Sequence, residues 1–251
     1  MILYFSATGN TRFIAKELGR ILEDKVEDIC PRIRQHDSEV IYSEKPFIFC
    51  APTYVCEAPK FFYDFLRRTE FTGSRDVYFI STNGGYSGIS GSIAGQIIRK
   101  KHMHYRGCAE FKMPANYIAN KSHKDSEPSE IEERIDQARQ KIVTTAGAIK
   151  TGQRLQTRHI WATEYLIDYL LNPMLSRIGH RVKGFHVKDN CVSCGICEKK
   201  CPLRIISLNE GKPSWSGKTC AHCMDCIQNC PVEAIEYKDI TQGRKRYRLN
   251  A

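Results

Sequence analysis

Along the first 150 residues, short and nearly unbroken apolar runs alternate with stretches whose apolar side chains recur every three or four positions. Ile2, Leu3, Tyr4 and Phe5 form the first run, and Ile14, Leu18 and Ile21 behind them share one helix face. Residues 46–51 lead in the same way into Phe61, Phe62, Phe65 and Leu66, and residues 77–80 into Ile89, Ile93 and Ile97. Residues 26–29 and 108–113 add two more strands, the last followed by a helix carrying Ile131, Ile135, Ala138, Ile142, Ala146 and Ile149. Strands this continuously apolar are covered on both faces, and helices between them imply parallel pairing. The pattern therefore predicts a five-stranded, doubly wound α/β sheet. Sheets of this kind bind ligands outside the carboxyl ends of their strands, so the loops after the first, third, fourth and fifth strands carry the chemistry.

The loop after the first strand reads Ser6, Ala7, Thr8, Gly9, Asn10, Thr11. Its hydroxyls and backbone N–H groups stand at a helix N-terminus, where an anion is favoured without any lysine. The same residue types cap ordinary helices, so this loop alone leaves phosphate binding and simple capping both open. Pro52, Thr53, Tyr54 and Val55 follow the third strand, and Thr82, Asn83, Gly84, Gly85 and Tyr86 the fourth. Tyr54 and Tyr86 offer flat faces for stacking, and Gly84 and Gly85 allow a ligand close to the backbone. After the fifth strand, residues 115–130 are long and polar, which suits either a solvated loop or a lid over the site.

With 251 residues, 41% of them hydrophobic and 26% charged, the chain is long enough and apolar enough for a packed core. No stretch reaches the roughly 18 consecutive apolar residues of a membrane span, and residues 1–5 lack a signal peptide's charged start. A cytoplasmic protein is expected. Eight of the twelve cysteines fall between 191 and 230, where Cys191-x2-Cys194-x2-Cys197-x3-Cys201-Pro202 recurs as Cys220-x2-Cys223-x2-Cys226-x3-Cys230-Pro231. Zinc sites favour two well-separated Cys-x2-Cys pairs, whereas three cysteines within seven residues and a proline after the fourth, twice over, match the pattern for 4Fe-4S ligation. Cys30, Cys50, Cys56 and Cys108 read as packing residues, and no Ser/His/Asp or Cys/His arrangement stands out, so no catalytic residue is assigned.

Two resemblances give these motifs a family. Residues 5–11 resemble the FMN-phosphate loop of flavodoxins, and residues 51–59 and 82–88 are similar to their second and third flavin loops, which implies the strand order 2-1-3-4-5 and an isoalloxazine ring flanked by both. Residues 52–59 contain no glycine, a departure from flavodoxins, whose second loop turns a glycine-containing peptide towards the flavin. The cysteine repeat resembles bacterial ferredoxins. By that resemblance one cluster takes Cys191, Cys194, Cys197 and Cys230, and the other Cys201, Cys220, Cys223 and Cys226. Together the halves resemble flavodoxin and ferredoxin fusion proteins of the EFR type, implying a flavodoxin-like domain over 1–152, a helical linker over 153–185, a small α+β two-cluster domain over 186–240 and a basic tail over 241–251.

That resemblance implies an electron-transfer protein passing electrons between two 4Fe-4S clusters and FMN. The alternative is a ferredoxin-dependent flavin reductase acting on a quinone or nitro compound. No G-x-G-x-x-G motif or separate nicotinamide-binding domain is present. The formal charge is +10, with 22 Lys and Arg against 19 Asp and Glu in residues 1–150 and 16 against 9 thereafter. Two ligated clusters and a flavin phosphate bring this to roughly +4. Such a modest excess suits an acidic redox protein partner better than nucleic acid; the oligomeric state is not legible.

Overall fold

The computed structural model describes residues 1–122, 124–166, 168, 170 and 181–249. Strands β1 (Ile2–Tyr4), β2 (Val26–Asp28), β4 (Phe47–Pro52), β6 (Asp76–Asn83) and β7 (His104–Lys112) form one parallel sheet in the order β2-β1-β4-β6-β7. This is the expected 2-1-3-4-5 order, the flavodoxin-like variant of the doubly wound sheet, and it reverses between β1 and β4. A small extra sheet pairs β3 (Ile41–Ser43) with β5 (Phe71–Gly73) in parallel.

Alternation along each strand serves two cores. Ile2, Tyr4, Ile48, Cys50, Tyr78 and Ile80 pack with helices α1 (Asn10–Leu22) and α5 (Pro128–Lys150). Leu3, Phe5, Phe47, Phe49, Val77 and Phe79 point the other way, towards α3 (Lys60–Arg68) and α4 (Ser90–Lys100). Helix α2 (Cys30–Gln35) follows β2 and places Ile33 in this second core.

Strand β8 (Phe185–Val187) pairs antiparallel with β11 (Ile235–Tyr237), and β9 (Ile206–Asn209) with β10 (Lys212–Trp215). Two short helices, α6 (Ile196–Lys200) and α7 (Asp225–Gln228), complete this α+β unit. Its buried core contains Ile206, Ile227, Ile235 and Tyr237 together with Ile118 and Ala119 from the polar loop after β7. That loop is thus neither wholly solvated nor a free lid, because two apolar side chains anchor it in the neighbouring core.

The linker differs from the expected helix at its start. Leu155 N donates to the Arg106 carbonyl at 2.8 Å and Cys108 N to Thr157 Oγ1 at 3.0 Å, so residues 153–158 run along β7. Residues 162–166 are helical, with Trp161, Leu166 and Leu170 exposed. Tyr169, Pro173 and Arg177 lie outside the described residues. Among the described residues no helix is long and apolar enough to cross a membrane.

Candidate functional site

A pocket opens at the carboxyl ends of the strands. It is lined by Ser6, Ala7, Thr8, Asn10 and Thr11 of the first loop, Pro52, Thr53 and Tyr54 of the second, and Thr82, Asn83 and Gly84 of the third, with Pro114 and Asn116 from the loop after β7. Gly9 at φ 104 caps α1 without a side-chain hydrogen bond, so no side chain caps the first-turn amides of the helix. Hydroxyl contacts tie the loops together: Thr11 Oγ1 lies 2.7 Å from Thr82 Oγ1, and Thr53 Oγ1 lies 2.8 Å from Ser81 Oγ. The Asn10 side-chain amide donates to the Pro114 carbonyl at 3.0 Å, and the Asn116 amide donates to Thr8 Oγ1. No lysine or arginine lines this cavity.

Gly9, Val55, Gly85 and Tyr86 stand outside the lining. Tyr86 is half-exposed, with the Arg158 guanidinium 5.0 Å from its ring and its hydroxyl donating to the Glu164 carboxylate, so the linker engages it. A Cβ at Gly85 would meet nothing, and one at Gly84 would make ordinary contact with Ala115. The glycine this region demands is Gly88, at φ +57, where a Cβ would lie 1.9 Å from the Cys56 carbonyl oxygen. There Ile89 N donates to that same carbonyl at 2.8 Å and binds the third loop to the second. The glycine-free second loop turns through Val55 at φ 49 and Cys56 at φ 68, a left-handed pair that a β-branched side chain adopts only under strain.

The cysteines divide into two groups. Cys191, Cys194, Cys197 and Cys230 line one pocket. The Cys197 thiol is raised to about 11, mainly by burial, with Cys194 and Cys230 adding to the rise. Cys201 and Cys226 are buried beside Cys220 and Cys223; burial also takes Cys220 up to about 11, with Cys201 adding to the rise. The repeat extends to the backbone. Ser193, Gly195 and Arg204 are left-handed at φ 54, 71 and 53, and 29 residues on His222, Met224 and Glu233 are left-handed at φ 48, 62 and 48. Two frames of one shape result. Among the described residues no three His, Cys, Asp or Glu side chains converge as a single ion requires, and two sets of thiols in the repeated spacing are a donor set that fits 4Fe-4S clusters.

The two sites adjoin. Asn229, just past α7, donates its side-chain amide to the Ala7 carbonyl at 3.2 Å, and the Gln228 amide donates to the Asn116 carbonyl at 2.9 Å. Ala221 and Cys223 pack against the sheet's second core beside Tyr54. The Tyr54 hydroxyl is buried with no hydrogen-bond partner, an orphaned polar atom at the wall of the cavity. Burial raises its phenol, with Cys223 and Asp225 contributing next. Asp225 is itself raised to about 7, burial pushing it up against the opposing pull of Lys200 at 3.8 Å.

Sequence reading missed the C-terminal segment. Leu249 N donates to the Thr8 carbonyl at 2.9 Å, Arg12 donates to the Leu249 carbonyl at 2.8 Å, and Tyr247 donates its hydroxyl to Asn10 Oδ1 at 2.7 Å. Arg246 is buried against Glu236 at 2.8 Å. What reads as a charged tail is strapped onto the loop after β1. Its Tyr and Leu amid basic residues were the available signal.

Residues 190–235 match the family model of a 4Fe-4S dicluster domain. Over 55 residues the chain is 36% identical to Ferredoxin-2 of Nitratidesulfovibrio vulgaris, a match covering 21% of this chain and 86% of that protein. A ferredoxin of Pyrobaculum islandicum is 39% identical over 49 residues, covering 19% of this chain and 46% of that one. The chain spans about half the length of other relatives it matches. A two-electron reduced Megasphaera elsdenii flavodoxin overlays 56% of this chain and 99% of its own at 15% identity and a TM-score of 0.30; the fold assignment rests on the strand order.

Proposed function

The chain belongs to the ferredoxins through its cysteine repeat, joined to a flavodoxin-like half, and on that premise we propose that it passes electrons between two 4Fe-4S clusters and an FMN, and on to a protein redox partner. The observation that carries this reading is the shared boundary: α7, which follows Cys223 and holds Cys226, is hydrogen-bonded through Gln228 and Asn229 to the loops that line the phosphate cavity.

Each residue set has a definite task. Ser6, Thr8, Asn10 and Thr11, with the first-turn amides of α1, hold a phosphate monoester. Thr53, Thr82 and Asn83 line the path from that phosphate to Tyr54, which gives a ring system its aromatic neighbour. The two rings of four thiols hold the clusters as thiolates, so loading displaces protons from buried groups. When bound, the flavin exchanges one or two electrons and each cluster one. Packing of Ala221 and Cys223 on the sheet core keeps water out of the space between the sites. The basic excess of the C-terminal half favours an acidic protein partner.

The test is anaerobic stopped-flow mixing of reconstituted protein with reduced ferredoxin, following cluster and flavin absorbance separately. Cluster reduction first, then flavin reduction that persists until a protein acceptor is added, is the expected result. Rapid, saturable reoxidation of the flavin by a small quinone or nitro compound replaces the carrier reading with that of a reductase. Heat release of the bound flavin and its chromatography identify it as FMN or not.

A further inference from the structure

The two cysteine frames are copies in backbone and opposites in surroundings. Across the 29-residue repeat, Val192 corresponds to Ala221 and Cys194 to Cys223. In the first copy, Val192 is 59% exposed and Cys194 is exposed. In the second, Ala221 and Cys223 pack against the core of the sheet, beside Tyr54. Between them, Ser193 is exposed while its counterpart His222 is buried, with Nδ1 3.2 Å from the Tyr117 hydroxyl and Nε2 3.1 Å from the Arg181 carbonyl. Tyr54 continues the line into the phosphate cavity, where its hydroxyl has no hydrogen-bond partner. The edge that one copy turns to solvent, the other presses against the wall of the flavin pocket.

Resting on the function proposed above, we propose that the cluster held by Cys201, Cys220, Cys223 and Cys226 is the inner one, exchanging electrons with the flavin across Tyr54. The cluster held by Cys191, Cys194, Cys197 and Cys230 is the outer one, met by an acidic one-electron carrier protein at the edge formed by Val192 and Cys194. The internal symmetry argues for this edge, because the equivalent edge of the second copy is the one already used inside the molecule. The charge of the C-terminal half as a whole argues for the partner, since residues 151–251 hold 16 Lys and Arg against 9 Asp and Glu. Each passage moves one electron: the reduced carrier is oxidised by one, outer and inner clusters are reduced and reoxidised in turn, and the flavin gains one. Two passages with proton uptake from water complete flavin reduction.

Pulsed EPR on the full-length protein carrying flavin and clusters tests the order. The spin relaxation of a flavin radical, trapped by rapid freezing with the clusters reduced and therefore paramagnetic, is compared in the wild type, Cys194→Ser and Cys223→Ser. Each serine shifts, or deletes, one cluster's signal. Relaxation enhancement that changes or vanishes in Cys223→Ser and persists in Cys194→Ser is expected. The reverse pattern overturns the inner and outer assignment while leaving internal electron transfer intact. Enhancement by neither cluster, with flavin bound, overturns the functional reading as well. For the edge, Val192→Glu slows reduction by dithionite-reduced acidic ferredoxin several-fold at low ionic strength, direct reduction by dithionite serving as the control. An unchanged rate with ferredoxin removes this edge as the port.

Discussion

The five-stranded sheet and helix α3 bury Phe5, Phe47, Phe49, Phe62, Phe65 and Phe79 in the core on one face of the sheet, whereas the core around the cysteine frames contains, among the described residues, ten buried ones, three of them Cys197, Cys201 and Cys226. The first half is stabilised by the apolar area it removes from water. The second is too small for that and replaces missing area with metal–thiolate bonds. The difference teaches where each half fails. Anaerobic removal of iron with a chelator is expected to abolish backbone amide protection over residues 185–240 and to leave that of β1, β4 and β6 in place. Hydrogen exchange read by mass spectrometry checks this, and retained protection in both regions breaks the comparison. In the opposite direction, Phe49→Ala opens a void at a fully buried position and costs about 3–5 kcal/mol. Its urea midpoint falls by flavin fluorescence, while cluster absorbance at low urea stays as in the wild type.

The flavin loops lie between these extremes, because their geometry depends on single backbone contacts. Gly88→Ala puts a methyl group 1.9 Å from the Cys56 carbonyl oxygen at φ +57, and backbone on both sides cannot yield easily. A loss of about 1–3 kcal/mol is expected, accompanied by weaker flavin binding as the second and third loops separate. Fluorescence titration of the apo-flavin protein measures both. Unchanged affinity would show that the contact between Ile89 N and the Cys56 carbonyl does not shape the pocket.

Strands β1, β4 and β6 were legible because each is or adjoins an apolar run, β2 and β7 were placed from a few apolar residues between helical patterns, and the cysteine repeat was legible because cluster ligation fixes local spacing. Other elements left too little pattern. Strands β3 and β5 have three residues each, and Tyr42 in the first is exposed. The loop after β7 hides two anchors, Ile118 and Ala119, in a polar stretch. Sequence pointed to Gly84 and Gly85, while the left-handed residues nearby are Val55, Cys56 and Gly88, since a dihedral imposed by a distant carbonyl has no local signature. Arg246 shows the same limit: among basic neighbours it reads as a solvated charge, yet it is buried against Glu236.

The smallest expected effect separates the halves most finely. Tyr247, held by its backbone N–H donating to Gln228 Oε1 at 2.8 Å, reaches from the cysteine-bearing half to Asn10 in the phosphate loop. Asn10 is also held through its amide by the Pro114 carbonyl, so Tyr247→Phe removes one of two restraints and costs about 0.5–1.5 kcal/mol. Flavin binding is therefore expected to weaken by up to about tenfold, with cluster spectra unaltered. The same substitution in iron-depleted protein discriminates further. If α7 and Gln228 lose their structure with the clusters, Tyr247 is already released, and Tyr247→Phe has no additional effect on flavin affinity. An equal effect with and without iron would mean that the tail belongs energetically to the sheet, and that the boundary between metal-held and area-held structure runs through Gln228 rather than through the phosphate loop.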